Sequence, residues 1–263
     1  MGRNGSVRIH GWAAAGAVLA ERPDAVRCVH LRADRVAALG PVLKRLAARH
    51  RPYRIVEDRD LEALAKSPHH EGIVVEVPPK PGPRTFASSE GQWLLLDGVR
   101  NPHNLGAILR SAAHFDARGV WALDGPELAG AAARVAEGGA EFVPYAAVPE
   151  GRALSALEQA PLVLGTRADP GAPSLFDVPL ADRVVWVLGS EASGARAPVA
   201  DRVHGWVRIP GSGRVESLNV SVAAALVLAE WARRHPLSPS QGRNRSGRRR
   251  SVRDRRRRPG AAD

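Results

Sequence analysis

From Trp93 onward the 263-residue chain repeats one pattern: a short, almost unbroken apolar run followed by a stretch with helical spacing. The runs are Trp93-Leu94-Leu95-Leu96-Asp97, Gly119-Val120-Trp121-Ala122-Leu123, Leu162-Val163-Leu164-Gly165 and Val184-Val185-Trp186-Val187-Leu188-Gly189. A strand that is apolar at nearly every position must be covered on both faces, the situation of a parallel sheet flanked by helices. The helical stretches run from Leu105 to Phe115, Ala131 to Glu137, Leu154 to Glu158 and Leu218 to Arg234. Strands alternating with helices predict an α/β domain with a parallel sheet over residues 91–235.

Upstream, Arg27–Leu31, Tyr53–Val56 and Gly72–Val77 read as strands, and Val36 to Ala48 as a helix with apolar residues at Val36, Leu39, Leu43 and Leu46. Asp58 is the expected N-cap of a helix through Leu61, Leu64 and Ala65. A small α/β domain over residues 1–78 follows. Pro78-Pro79-Lys80-Pro81-Gly82-Pro83 places four prolines in six residues. Proline fixes φ and removes a donor, so residues 79–90 are expected to form an extended, semi-stiff linker.

Charge adds a partner class. Of the net charge of +11, eight units lie in residues 236–263, where ten arginines stand against two aspartates. Such a tail has too little apolar surface to order itself and is expected to be disordered; its affinity is for polyphosphate, which points to nucleic acid. No apolar run reaches the roughly 18 to 20 residues of a membrane-spanning helix, so no membrane association is expected. The N-terminal apolar patch lacks the core and cleavage site of an export signal. The single cysteine, Cys28, excludes an internal disulfide framework and a Cys-rich zinc site. The expected compartment is the reducing cytoplasm. GxGxxG after a strand, Walker A, HExxH and GxSxG are all absent, and the nine histidines show no metal-ligand spacing, so no metal is expected.

Three glycine-bearing segments carry the remaining chemistry. The first follows a strand: Asp97-Gly98-Val99-Arg100-Asn101-Pro102-His103-Asn104-Leu105-Gly106-Ala107-Ile108-Leu109-Arg110. The second is Leu188-Gly189-Ser190-Glu191-Ala192-Ser193-Gly194. The third is Ile209-Pro210-Gly211-Ser212-Gly213-Arg214-Val215-Glu216-Ser217-Leu218-Asn219-Val220-Ser221-Val222-Ala223. Alone, each is an ordinary turn: Arg110 on a solvated helix face, Glu191 a surface acid, Asn219 a residue capping its own helix.

In this order they resemble the three motifs of the SpoU–TrmH branch of the SPOUT RNA methyltransferases: Asn104, Gly106 and Arg110; Gly189, Glu191 and Gly194; and Ser217 through Ala223. Ile9-His10-Gly11 and His70-Glu71-Gly72-Ile73 resemble the substrate-binding domain that precedes many such enzymes. The resemblance implies a small N-terminal α/β RNA-binding domain and a C-terminal α/β methyltransferase domain with a parallel sheet and a deep trefoil knot. It also implies a homodimer and S-adenosyl-L-methionine as cofactor. The cofactor would be held by Gly165, Thr166, Leu188, Gly189, Ile209, Pro210 and Leu218. Asn104, Arg110, Glu191, Ser217 and Asn219 would form the catalytic group, with Ser217 and Asn219 orienting Arg110, and Glu191 either holding its loop or acting in catalysis. Two features depart from the family pattern: the segment Ala136-Glu137-Gly138-Gly139-Ala140-Glu141 and the Arg-rich tail.

The implied reaction is methylation of a ribose 2′-hydroxyl in structured RNA, first of all ribosomal RNA (a 23S-type guanosine). Transfer RNA is the second substrate, a base-methylating relative the third reading, and a non-catalytic RNA-binding or ribosome-assembly protein the reading from another class. A ribose hydroxyl is a poor nucleophile while protonated, so such an enzyme must hold it in line and give its proton somewhere to go. A guanidinium is too basic to take that proton but can anchor the neighbouring phosphate and stabilise developing oxyanion charge.

Overall fold

The computed structural model describes residues 5–86, 90–190 and 194–236; Glu191 and the Arg-rich stretch from Leu237 onward lie outside them. Two sheets organise the chain. The first contains β1 (Val7–His10), β2 (Cys28–Leu31), β3 (Tyr53–Ile55) and β4 (Ile73–Val77) in the order β1-β4-β2-β3. β4 is antiparallel to β1 and β2, and β2 is parallel to β3. Three helices complete this part: α1 (Trp12–Glu21), α2 (Val36–Ala48) and α3 (Asp58–Ala65). β1 and α1 are not legible in the sequence, because β1 has four residues and α1 (WAAAGAVLAE) is small and apolar all round, which erases the period. Asp58 does not cap α3: Glu57 holds the N-cap position, and the Asp58 carboxylate accepts two bonds from Arg32 Nη1 (3.1 and 3.2 Å).

The second sheet has six strands: β5 (Gly91–Asp97), β6 (Gly119–Leu123), β7 (Tyr145–Val148), β8 (Val163–Thr166), β9 (Arg183–Gly189) and β10 (Gly205–Val207). Their order is β10-β8-β9-β5-β6-β7, and every pairing is parallel. Its helices are α4 (Pro102–His114), α5 (Gly130–Val135), α6 (Gly139–Phe142), α7 (Glu150–Glu158), α8 (Ala197–Ala200) and α9 (Val220–Arg234). Strand alternation sends Leu94 and Leu96 into one core with Ile108, Leu109, Val227 and Leu228, and Trp93 and Leu95 into another with Ala153, Leu157 and Val187. Each fully buried side chain of this size contributes about 1.5–3 kcal/mol. The two edge strands, β7 and β10, are short and went unread in the sequence.

The helix expected over 131–137 ends at Val135. Glu137 and Gly138 take left-handed backbone (φ 46 and 89), which a right-handed helix cannot continue, and α6 starts at Gly139. The proline segment is not a free spacer. Arg22 donates to the Pro78 carbonyl (2.7 Å) and forks onto Glu141 (2.7 and 2.9 Å), Lys80 donates to the Glu141 carbonyl, and Trp121 Nε1 donates to the Pro83 carbonyl (3.2 Å). Ala133 of α5 packs into the core of the first sheet with Ala14, Ala15 and Val18, so the two parts are docked. No helix among the described residues is long and apolar enough to cross a membrane.

At the end of α9 the buried Glu230 takes bonds from Arg233 (2.8 and 2.9 Å) and Arg234 (2.7 Å). The Arg233 hydrogen bond, aided by Arg234, holds its carboxyl down at about 2. A depressed acid stabilises the fold above the ordinary carboxylate range and loses that contribution as pH falls. Urea unfolding of wild type and Glu230→Gln should therefore show a stability gap that is full at pH 6 and narrows from about pH 4.5 towards 2. A gap that stays constant over that range contradicts the assignment.

Candidate active site

Along the second sheet, β5, β6 and β7 advance in one direction from the centre, while β9, β8 and β10 lie on the other side. Loops leaving the carboxyl ends of β5 and β9 therefore diverge, and such a switch point is where open α/β sheets bind ligands. The last residues of the two strands, Asp97 and Gly189, are register partners. Thr166 ends β8 opposite Val207, from which the chain continues into Ile209-Pro210. All three sequence segments, with the end of β8, thus start from one sheet edge.

The second and third segments, with the loop after β8, line a cleft of about 790 Å³. Thr166, Leu188, Gly189, Ile209, Pro210 and Leu218 line it, and so does Ser217. Gly189 is required there: a Cβ would stand 2.0 Å from the carbonyl carbon of Gly194, so no other residue lets the loop fold back this closely. Gly165 serves the cleft indirectly. It lies beneath the Trp206 ring, where a Cβ would stand 2.5 Å from the ring, and Trp206 lines the cleft in its place.

The loop after β9 is held by a group the sequence reading passed over. The Asp97 side chain is fully buried and accepts from the backbone N–H of Arg196 (2.7 Å) and from its Nε (2.7 Å). Arg196 reaches on to Asp124 (3.4 Å) and Glu150 (3.3 Å). The available signal was the carboxylate itself: a charge closing an otherwise apolar strand needs a partner in the fold.

The first and third segments meet through side chains. Asn101 caps α4 by accepting from His103 N–H (2.9 Å), and Asn219 caps α9 by accepting from Ser221 N–H (2.9 Å). The Asn219 amide then donates to Asn104 Oδ1 (3.1 Å), tying the start of α9 to the start of α4. Arg110 stands six residues further along α4, about 9 Å by helical rise. Its Nη1 pairs with Glu137 Oε1 (3.0 Å), both side chains being more than half exposed. Glu137 is thus the ion-pair partner of Arg110 among the contacts of the described residues, and the Asn219 amide bonds to Asn104.

The fold and cleft define a doubly wound α/β protein with a ligand site at its switch point and a second, smaller α/β domain ahead of it. Residues 92–229 match the SpoU rRNA Methylase family, and residues 8–83 match the family of RNA 2′-O ribose methyltransferase substrate-binding domains. The chain belongs to the SpoU rRNA methylase family. It is similar to the 23S rRNA (guanosine-2′-O-)-methyltransferase RlmB of a Burkholderia species, 39% identical over 239 residues that cover 86% of this chain and 95% of that one. RlmB of Pseudomonas aeruginosa is 37% identical over 247 residues (88% and 98%). Among solved structures, an RNA 2′-O ribose methyltransferase superposes with a TM-score of 0.72 at 25% identity, over 89% of this chain and 90% of that one. The SpoU methyltransferase AviRb of Streptomyces viridochromogenes, in complex with AdoMet, gives 0.73 at 22% identity over 89% and 91%, a likeness of fold.

Removing the Asp97 carboxylate takes away two charge-assisted hydrogen bonds, each worth about 1.5–3 kcal/mol, one of them from the Arg196 backbone N–H. Asp97→Ala should lower unfolding stability by about 3 kcal/mol or more in urea titrations, whereas Asp124→Ala, which removes a partly exposed contact, should cost under about 1 kcal/mol. Equal, small losses would contradict the central place given to Asp97.

Proposed function

We propose that this chain transfers a methyl group from S-adenosyl-L-methionine to a ribose 2′-hydroxyl of ribosomal RNA, a 23S-type guanosine. The observation that carries this reading is the convergence of the three family segments on one sheet edge, closed by the Asn219–Asn104 bond. The 790 Å³ cleft is of the size that takes a small ligand. Leu188, Leu218 and Val220 offer an apolar slot for a flat base, and the wall carries both signs of charge, with Asp169 paired to Arg167 (3.0 Å) and Glu216 beside them for the polar end of the cofactor. The residues present fit the cofactor, with Thr166, Gly189, Ile209 and Pro210 completing the wall and Gly165 supporting it through Trp206. When bound, the cofactor supplies an electrophilic methyl group on a neutral leaving group.

The chain's own residues do the rest. Arg110 grips the phosphate next to the target ribose, and the hydroxyl passes its proton to an oxygen of that phosphate while the guanidinium stabilises the negative charge left on the ribose oxygen. Asn219 holds Asn104 and the start of α9 in place, and Ser217 shapes the adjoining wall. Glu191 belongs to the loop after β9 in this reading. A second copy of the chain brings its Arg110 to the cleft, whose wall within one chain includes no described residue of α4. Val215, Leu218 and Val222, exposed apolar side chains on and around the mouth of the cleft, give that copy a surface to cover. The same reading includes a trefoil knot in the C-terminal region and a cytoplasmic setting. The first domain and the Arg-rich tail capture structured RNA through shape and phosphate contacts.

Arg110→Ala should abolish methyl transfer to ribosomal RNA while calorimetric binding of S-adenosyl-L-methionine survives. Transfer at near the wild-type rate contradicts the role of Arg110, and loss of cofactor binding places the residue in the cleft wall instead.

A further inference from the structure

We propose that Glu137 is a positioning residue for Arg110, fixing the guanidinium for the phosphate of the substrate RNA. The inference rests on the reading of Arg110 as the phosphate-gripping residue. The closest approach of the ion pair is Arg110 Nη1 to Glu137 Oε1, at 3.0 Å. A guanidinium is a planar fork with five donors, so a carboxylate on Nη1 leaves Nε and Nη2 to face a phosphate oxygen pair. Glu137 thus sets the plane of the fork without consuming it.

The carboxylate comes from an anchored place. Glu137 has left-handed backbone (φ 46), a conformation that persists in a non-glycine residue only where its surroundings enforce it. Here the enforcement is packing from two sides. At Gly138 a Cβ would stand 2.8 Å from Ala17 Cβ of α1, and at Gly139 it would stand 3.0 Å from Arg110 Cα and 2.9 Å from the Leu109 carbonyl of α4. The corner between α5 and α6 is therefore wedged between the first domain and the very helix that carries Arg110. Its backbone packs directly against Arg110, although the two charged groups stand in solvent. An ion pair this exposed contributes little to folding, so the pair is not explained by stability. The wedge also connects the first domain, through α1, to the placement of Arg110.

The test is single-turnover methyl transfer with full-length Glu137→Ala and Glu137→Gln, beside melting temperature and dissociation constants for RNA and cofactor. Glu137→Ala should slow transfer about tenfold, as misplacement of a reacting group does, with melting temperature and both dissociation constants unchanged. Glu137→Gln, which keeps an oxygen acceptor, should recover much of the rate. In an Arg110→Lys background, Glu137→Ala should cost less than in wild type, because coupled residues are not additive. An unchanged rate in Glu137→Ala overturns the proposal, as does tighter RNA binding with an equal or faster rate, the behaviour of a carboxylate that only screens Arg110. Arg110→Ala acts as the control: if it is inactive while Glu137→Ala is unaffected, this proposal alone fails, and if it is active, the reading of Arg110 fails with it.

Discussion

A carboxylate with no water around it governs the site. Asp97 closes a strand buried on both faces, and its charge is compensated by Arg196, on the loop that leaves the neighbouring strand. The buried carboxylate is costly to leave unpaired, and its two bonds fix the groups they join. Here it ties the end of β5 to the loop after β9, and these are the two strands where the sheet's order reverses. The cleft keeps its shape because that tie holds one wall while the Asn219–Asn104 bond holds another.

Two kinds of packing serve that arrangement. The parallel sheet, apolar on both faces, gives a rigid edge from which the loops can diverge. The helices α4, α5 and α6 then place charged groups beyond the edge, with α1 of the first domain pressed against them. Docking of the domains through Arg22 and Glu141 makes the RNA-binding part continuous with the helix that carries Arg110. Recognition and chemistry therefore share one packed body, and Glu137 lies where the two meet.

Much of this was legible in the sequence, for physical reasons that differ by element. Strands such as Trp93–Asp97 announce themselves because burial on both faces admits only apolar side chains. The cleft glycines were legible because close backbone approach allows nothing larger, as at Gly189. Three things were hidden. α1 has no period to read, and the edge strands β7 (Tyr-Ala-Ala-Val) and β10 (Gly-Trp-Val) are built partly of alanine and glycine, which are depleted in strands. Tertiary partners leave no trace in local spacing: Asp58 looks like a cap until Arg32 is seen beside it, the pairing of Arg110 with Glu137 spans two helices, and the Trp206 ring over Gly165 comes from another strand. Asp97 was in plain view as a charge at the end of an apolar run, but its partner lies 99 residues away.

The central claim is that the cleft between these strand ends is a cofactor site whose shape depends on Asp97. Calorimetric titration of S-adenosyl-L-methionine into the wild-type chain and into Asp97→Asn tests it most directly. The expected result is saturable binding at one site per chain in the wild type, weakened about tenfold or more in the variant by loss of charge-assisted bonds. Absence of binding heat in the wild type, or equal affinity in the two proteins, would contradict it.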